Sequence, residues 1–425
     1  MIEPSPPPGK PSSLAEGLRQ LGPGLITGAA DDDPSGIATY SQAGAQFGYS
    51  MLWTVVVTLP LMVAIQIVSA RIGYVTRQGL AANIKASFPR WVLLTVVGLL
   101  LVANTLNVAA DIAAMAEALR LLVGGSAEVY AVTFGLLCLT LQVFLPYRSY
   151  VRWLKWLTLA LFAYVAVAFS LNLDWSQVGA AVLQPHLVAD HRALLMVVAV
   201  FGTTISPYLF FWQAAQEMED ATGAQTPQTR AVVRHHLRRI KADTIVGMTF
   251  SNLIAFFIIL STAATLHAAG VTDIETSAQA AEALRPLAGD FTFLLFSLGI
   301  IGTGMLAVPV LAGSAAYAVA EAAGWRGSLS LRLDRGEGRG FYGVIAAATV
   351  GGVILCFTPT DPVQELFWSA VLNGVIAVPI MVVMMLLATR RTIMGDHVIG
   401  GTLRRLGWLA TAVMALVVAA MFVTL

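Results

Sequence analysis

The stretch Leu25-Ile26-Thr27-Gly28-Ala29-Ala30-Asp31-Asp32-Asp33-Pro34-Ser35-Gly36-Ile37-Ala38 decides how this chain is read. Apolar sequence flanks three consecutive carboxylates and two helix breakers. One carboxylate at the centre of a spanning helix costs roughly 2.5–3.5 kcal/mol on insertion scales, and three charged, lipid-exposed ones would cost on the order of 8–10. A simple anchor cannot carry that burden, so the acids must face a polar cavity. The bland alternative is a proline kink with the aspartates ending a helix near the bilayer surface; the apolar sequence continuing past Gly36 argues against it. Successive helical residues point about 100° apart, so the three acids cannot all line one site. Unwinding at Pro34 and Gly36 would free backbone carbonyls to hold a cation beside one carboxylate. Asp33, nearest the break, is the first candidate, with Asp31 and Asp32 accessory.

The rest of the chain supports a membrane setting. Hydrophobic residues make up 57% and charged residues 12%, with a mean hydropathy of +0.76, whereas soluble domains run nearer a quarter charged. A net charge of +1 and the lack of a Gly-rich phosphate loop or zinc-type Cys/His spacing argue against nucleic acid as a partner and against a bound cofactor. Cys138 and Cys356 sit in apolar runs and read as small hydrophobes. The Pro- and Ser-rich start, 1–20, reads as a disordered cytoplasmic tail without the features of a signal peptide.

Apolar segments long enough to cross a bilayer fall at 22–47, 51–73, 91–122, 126–146, 152–172, 194–219, 240–268, 289–323, 340–358, 365–389 and 403–424, which makes eleven. With the N-terminus cytoplasmic, Lys and Arg fall almost entirely on one side. Lys10, Arg19, Arg71, Arg77, Lys85, Arg90, Arg148, Arg152 and Lys155 would be cytoplasmic, as would the groups at 230–241, 326–339, 390–391 and 404–405; Arg120, Arg192 and Arg285 remain outside. The chain is expected to be an all-α polytopic inner-membrane protein with a periplasmic C-terminus, surrounded by lipid and monomeric.

A second breaker lies in the sixth span, at Thr203-Thr204-Ile205-Ser206-Pro207. Spans one and six are corresponding members of two five-helix halves, 21–172 and 173–389, and five being odd, the halves have opposite topology; 390–425 supplies a loop and the eleventh helix. Paired interrupted helices in such halves point to a transporter site at the midplane.

The residues Gly22-Pro23-Gly24 through Asp33-Pro34, followed by Gln42-Ala43-Gly44-Ala45-Gln46-Phe47-Gly48-Tyr49-Ser50 and Leu52-Trp53, closely resemble the first helix and following turn of Nramp divalent-metal transporters. The likeness is moderate around Ala110-Asp111-Ile112-Ala113 and Gly202 to Pro207, and weak afterwards. It implies a LeuT-type fold of two inverted five-helix repeats plus an eleventh helix, with a metal between the two breaks. Typical members read Asp-Pro-Gly-Asn at the first break, where this chain has Asp33, Pro34, Ser35 and Gly36. At the second they read Ala-Thr-Ile-Met-Pro-His, where this chain has Thr203, Thr204, Ile205, Ser206, Pro207 and Tyr208. The implied metal ligands are therefore Asp33, Gly36, Thr203 and Ser206, with Tyr208, Gln213, Asp111 and Asn373 as accessory or cavity-lining groups.

Two departures bear on selectivity. A thioether favours soft and borderline metals, whereas carboxylate, carbonyl and water suit Mg²⁺ and also Mn²⁺. Replacing Asn by Gly36 and Met by Ser206 should also leave room for an ion that keeps several waters, as Mg²⁺ tends to. The pattern resembles the Nramp-related magnesium transporter branch. Family symporters carry Asp-x-x-Glu on helix three, histidines on the inner half of helix six and an arginine within helix nine. Here stand Asp111 with Ala114, Tyr208 with Gln213, and no arginine from Tyr342 to Phe357, so uncoupled transport is expected. Asp111 serves either as a proton relay or as a partner of helix-ten groups such as Asn373. Asn104 and Asn107 continue a polar strip, and Gln216, Glu217, Glu219 and Asp220 read as a solvated mouth. Gly302-Thr303-Gly304 and Gly313-Ser314 read as close-packing sites.

The competing readings are a proton-coupled Mn²⁺/Fe²⁺ importer of ordinary Nramp type, and an amino-acid symporter of the same fold, whose carboxylate substrate the acidic triplet would repel. An intramembrane metalloprotease would want His-Glu-x-x-His, which is absent, and a receptor would need no paired breaks.

Overall fold

The computed structural model describes residues 23–145, 157–185, 190–223, 229–329, 331, 337–358 and 361–424. The tail 1–20 and Arg148, Arg152, Lys155, Arg332 and Arg335, to which sidedness was ascribed, lie outside those residues.

All regular elements among the described residues are helical. The first crossing is split into α1 (Pro23–Asp31) and α2 (Pro34–Phe47). Then come α3 (Leu52–Thr76), the short α4 (Leu80–Ser87), α5 (Arg90–Val123), α6 (Ala127–Phe144), α7 (Phe162–Ser170) and the short α8 (Trp175–Leu183). The sixth crossing is α9 (His191–Thr204) plus α10 (Pro207–Gly223), followed by α11 (Arg230–Thr262), α12 (Thr292–Ala323), α13 (Arg339–Leu355), α14 (Pro362–Thr389) and α15 (Gly401–Thr424).

Eight helical runs among the described residues are long and apolar enough to cross a bilayer. Pro34–Thr76, one of them, holds two crossings. Along α11 and the helical turn Ala263–His267 that continues it, Asp243 meets Gly24, Ser251 meets Asp31 and His267 meets Ala45, so α1 and α2 run parallel to it. Asn252, by contrast, meets Val55, and Leu237 and Lys241 share a cavity with Arg71, so α3 runs the opposite way. The chain therefore reverses at Gly48–Met51, where Gly48 has φ +57°. The fifth crossing, which bends by 115° into α8, and the shorter α13 complete the eleven expected.

Basic residues gather at one end of the bundle. Arg71 Nε donates to the His397 carbonyl, Lys85 to that of Ala322 and Arg390 to that of Ser87. The seventh helix starts about three turns earlier than hydropathy suggests. Thr229 caps it, so Arg230, Arg234, Arg238, Arg239 and Lys241 ride on a helix and not in a loop. At the opposite end Arg120 pairs with Glu117 at 2.7 Å and Arg285 pairs with Glu282.

Small residues set the closest approaches. A Cβ on Gly28 would collide with the Gly247 backbone, so α1 touches α11 backbone to backbone, and Gly202 meets Ala370 and Gly374 in the same way. In membranes, where lipid is as apolar as Leu, such close packing drives helix association. Gly304 packs on Met115, and Gly313 on Trp212. Cys138 lies 3.6 Å from the Met305 sulfur, and Cys356 bonds to backbone carbonyls; both cysteines are free.

Candidate metal centre

Each break is two residues long and is followed by proline at the first position of the resumed helix. A residue preceding proline is disfavoured in the α region, while Pro suits a first helical position because its missing N–H is not needed there. Asp33, before Pro34, accordingly has φ −74° and ψ 169°; in the second break Ile205, two residues before Pro207, already leaves helical geometry at φ −111°, ψ 60°.

The carbonyls left open by each break find partners nearby. Tyr208 Oη lies 2.9 Å from the Ala30 carbonyl and 3.2 Å from Asp33 Oδ2, its one hydrogen shared between them, joining the second half of span six to the break in span one. Ser206 Oγ turns back onto its own helix, 3.0 Å from the Gly202 carbonyl and 2.7 Å from that of Thr203. Asp33 Oδ1 accepts the Gly36 amide at 2.7 Å. Asp33 is thus the N-cap of α2, and its charge sits at the positive end of that helix.

Gly36 is packed. A Cβ there would stand 3.3 Å from Thr203 Oγ1, 3.3 Å from the Tyr40 ring and 3.4 Å from Asp33 Oδ1. The volume expected from the missing Asn side chain is therefore taken up by Thr203 and Tyr40 in this conformation. Thr203 Oγ1 is buried and makes no hydrogen bond. Asp33, Gly36 and Thr203 converge, while Ser206 lies on the same break with its hydroxyl engaged by carbonyls.

The other acids divide. Ser251 Oγ lies 2.6 Å from Asp31 Oδ2 and 3.0 Å from Asp32 Oδ1, holding both against α11 and away from Asp33. Asp111, from α5, faces Asp33 and the Ser35 amide, and both its carboxylate oxygens are buried without a hydrogen-bond partner. Asn373 is not its partner. It pairs with Asn107 through two bonds of 2.9 and 3.2 Å, because the two asparagines share a level one helical turn from Asp111. Asn104 reaches Ser314 and the Leu311 carbonyl instead. Gln213 is a strut, accepting from Gln66 at 2.7 Å and donating to Thr244 at 2.9 Å.

Asp31, Asp32, Asp33 and Asp111 are 0, 3, 2 and 0% exposed, and no ion pair among the described residues includes any of them. Burying charge without a counter-charge is strongly unfavourable. Such groups are either neutral or matched by a cation. Among the described residues, no three His, Cys, Asp or Glu side chains converge as a ready cage, so the available donors are one or two carboxylates with carbonyl and hydroxyl oxygens.

Below the centre, the acidic group of α10 is not a solvated mouth. Glu217 is fully buried and lies 3.4 Å from Arg239, which is also 3.5 Å from Asp220. Tyr317 donates to Glu219 at 2.7 Å, and Asp243 accepts the Gly24 amide at 2.8 Å. Arg239 comes from the next helix, and folding brings it back onto α10. Above the centre, at the opposite end, a cavity of about 310 Å³ is lined by Ala38, Gln42, Arg192 and Asp273 among others. Ala38 is five residues beyond Asp33, about 7.5 Å along a helix. Sequence reasoning missed Ser251, Ser35, bonded to Ser369 and the Leu366 carbonyl, and the Glu217–Arg239 pair. The one available signal for the serines was a hydroxyl inside an apolar span.

A family model described as "Natural resistance-associated macrophage protein-like", Nramp, matches residues 24–424. The chain belongs to the Nramp family. Among curated Nramp relatives, it is 28% identical over 296 residues to the divalent metal cation transporter MntH of Yersinia pestis, covering 68% of this chain and 69% of that one. It is 26% identical over 403 residues to MntH of Klebsiella pneumoniae, covering 93% and 92%. The fold is similar to that of the manganese transporter of Eremococcus coleocola, crystallised with an aromatic bis-isothiourea compound: TM-score 0.78 at 18% identity, over 97% of this chain and 89% of that one. It is also similar to the closed conformation of Mhp1, a nucleobase-cation-symport-1 family transporter: TM-score 0.56 at 13% identity, over 95% and 92%. The Nramp chain thus has the LeuT-type fold of inverted repeats that its paired breaks imply.

Proposed function

We propose that this chain is a divalent-cation importer of the inner membrane that carries Mg²⁺, with Mn²⁺ as a second substrate, by alternating access through the site between the two breaks. The observation that carries this reading is the buried pair Asp33 and Asp111, which face one another beside the first break with no basic partner among the described residues. Asp33 is the principal ligand, aided by backbone oxygen near Gly36 and by Thr203, with Ser206 at the position of the family's thioether. Asp111 and Tyr208 flank it and Asp31 and Asp32 are accessory, held on Ser251, while Gln213 and Asn373 hold the neighbouring helices.

Oxygen donors alone remove a reason to prefer soft metals over Mg²⁺. Mg²⁺ is usually held by one or two carboxylates plus water, and the packing at Gly36 means that a hydrated ion enters only as the half-helices part. With the N-terminus and the basic end cytoplasmic, as the distribution of Lys and Arg favours, the Glu217–Arg239 side is the closed inner face. The chain works as a monomer and needs no cofactor beyond its cargo.

Transport is uncoupled from protons. Asp111 stands without the Glu, His and Arg of a relay, and a divalent ion gains about 4.6 kcal/mol from a 100 mV potential, enough to sustain inward flux. The test is uptake of Mg²⁺, Mn²⁺ and Ca²⁺ into proteoliposomes by wild type and Asp33→Ala at fixed voltage. Voltage-driven Mg²⁺ uptake lost in Asp33→Ala is expected. Full uptake by the variant would remove Asp33 from the centre, and uphill uptake driven by external acid would overturn the uncoupled mechanism.

A further inference from the structure

The basic end carries a second constructed feature, remote from the metal centre. A cavity of about 490 Å³ is lined by Arg71, Arg230, Arg234, Arg238 and Lys241, with His397 and one acid, Asp396. Asp396 is already paired with Arg230 at 3.0 Å, and the Nε of Arg71 is fixed on the His397 carbonyl, which leaves the remaining guanidinium nitrogens of Arg71 available to the cavity. Helical spacing explains the concentration of charge, because 230, 234, 238 and 241 recur every three or four residues and share one face of α11.

A cavity of about 400 Å³ adjoins it and shares Arg71, Leu237 and Lys241. Its other walls are apolar, among them Pro60, Val63 and Ile67 of α3, Ile245 of α11, and Leu403 and Leu406 of α15. Together the two form a groove between α3, α11 and α15, cationic at the bundle end and apolar along its length. Arg404 and Arg405, both exposed, follow Leu403 at the same end.

We infer that this groove binds an anionic phospholipid, with the phosphate among Arg71, Arg234, Arg238 and Lys241 and an acyl chain along Val63, Ile67 and Leu403. The charge identifies the head, since Arg forms bidentate, charge-assisted bonds to phosphate oxygens, and basic pockets between spanning helices suit anionic headgroups. The apolar continuation distinguishes a lipid from a free anion, because inorganic phosphate would leave that wall unoccupied. The ligand would bridge α3 and α11 to α15, and thereby tie the eleventh helix to the helices that carry the inner closure.

The test uses the intact protein in uncharged detergent, titrated with phosphatidylglycerol, phosphatidylcholine or inorganic phosphate and followed by native mass spectrometry and unfolding midpoint. Saturable phosphatidylglycerol binding is expected at concentrations where the other two do not bind. Arg234→Gln with Arg238→Gln should weaken it roughly 30-fold, about fivefold for each of the two charges. Thr402→Trp, which fills the groove and keeps every cation, should weaken it as well. Equal binding of phosphatidylcholine would reduce the groove to annular lipid. Phosphate binding as tight as phosphatidylglycerol, or phosphatidylglycerol binding indifferent to both variants, would overturn the proposal. Each arm reads lipid binding directly, so none depends on which ion is transported.

Discussion

Asp33 Oδ1 accepts the backbone amide of Gly36 at 2.7 Å, so the carboxylate at the centre of the proposed ion site also begins the second half of its own helix. Charge and capping reside in one side chain, and substitutions can separate them.

Asp33→Asn keeps an amide oxygen able to cap and removes the charge. It should unfold close to the wild-type midpoint while losing Mg²⁺ uptake. Asp33→Ala should lose uptake and also about 0.5–2 kcal/mol of stability with the cap. Thermal unfolding beside proteoliposome flux distinguishes them; wild-type flux in Asp33→Asn would show that the charge is not needed.

Ser206 spends its hydroxyl on the carbonyls of Gly202 and Thr203. Ser206→Met would free those carbonyls and bring in a polarizable sulfur. The expected result is a shift in preference toward Mn²⁺ over Mg²⁺ on the order of tenfold, about 1.4 kcal/mol, read from competition between the two ions. An unchanged ratio would mean that position 206 does not set selectivity.

Ser251 is the shared hydroxyl between Asp31 and Asp32. Ser251→Ala should destabilise the protein by about 1–3 kcal/mol, the cost of leaving buried polar groups unsatisfied. Ser251→Thr, which restores the hydroxyl, should recover most of it. Denaturation midpoints of the two variants decide whether the hydroxyl or only the volume matters.

Arg239 faces a fully buried Glu217 and is itself 30% exposed. Removing it should cost about 2 kcal/mol, below the roughly 3–5 of a fully buried pair because solvent reaches the guanidinium. Arg239→Ala combined with Glu217→Gln should be more stable than Arg239→Ala alone. A double-mutant cycle without coupling would show that the pair does not hold the inner end closed.

The breaks and crossings were legible because bilayer thickness sets the length of apolar runs and because proline and acids interrupt them visibly. Asp33 stood out for the same reason. Partner choice was less accessible. Asp111, Asn107 and Asn104 lie close along one helix, yet the rotation of α5 sends the asparagines to α14 and α12 and leaves the aspartate facing Asp33. Glu217 looked solvated because Arg239 lies 22 residues downstream, on the next helix, at a separation no local pattern records. Ser251 carried almost no signal, since a single serine is ordinary in a spanning helix.

The contact between Gly28 and Gly247 leaves no room for even a methyl group. With backbones in touch there, α1 and α11 cannot be moved apart in register without opening that contact, and Ser251 stays level with Asp31 and Asp32. The acidic run is therefore divided by packing as well as by hydrogen bonding: two of its members are clamped to the seventh helix, and Asp33 alone belongs to the half-helix that begins after the break.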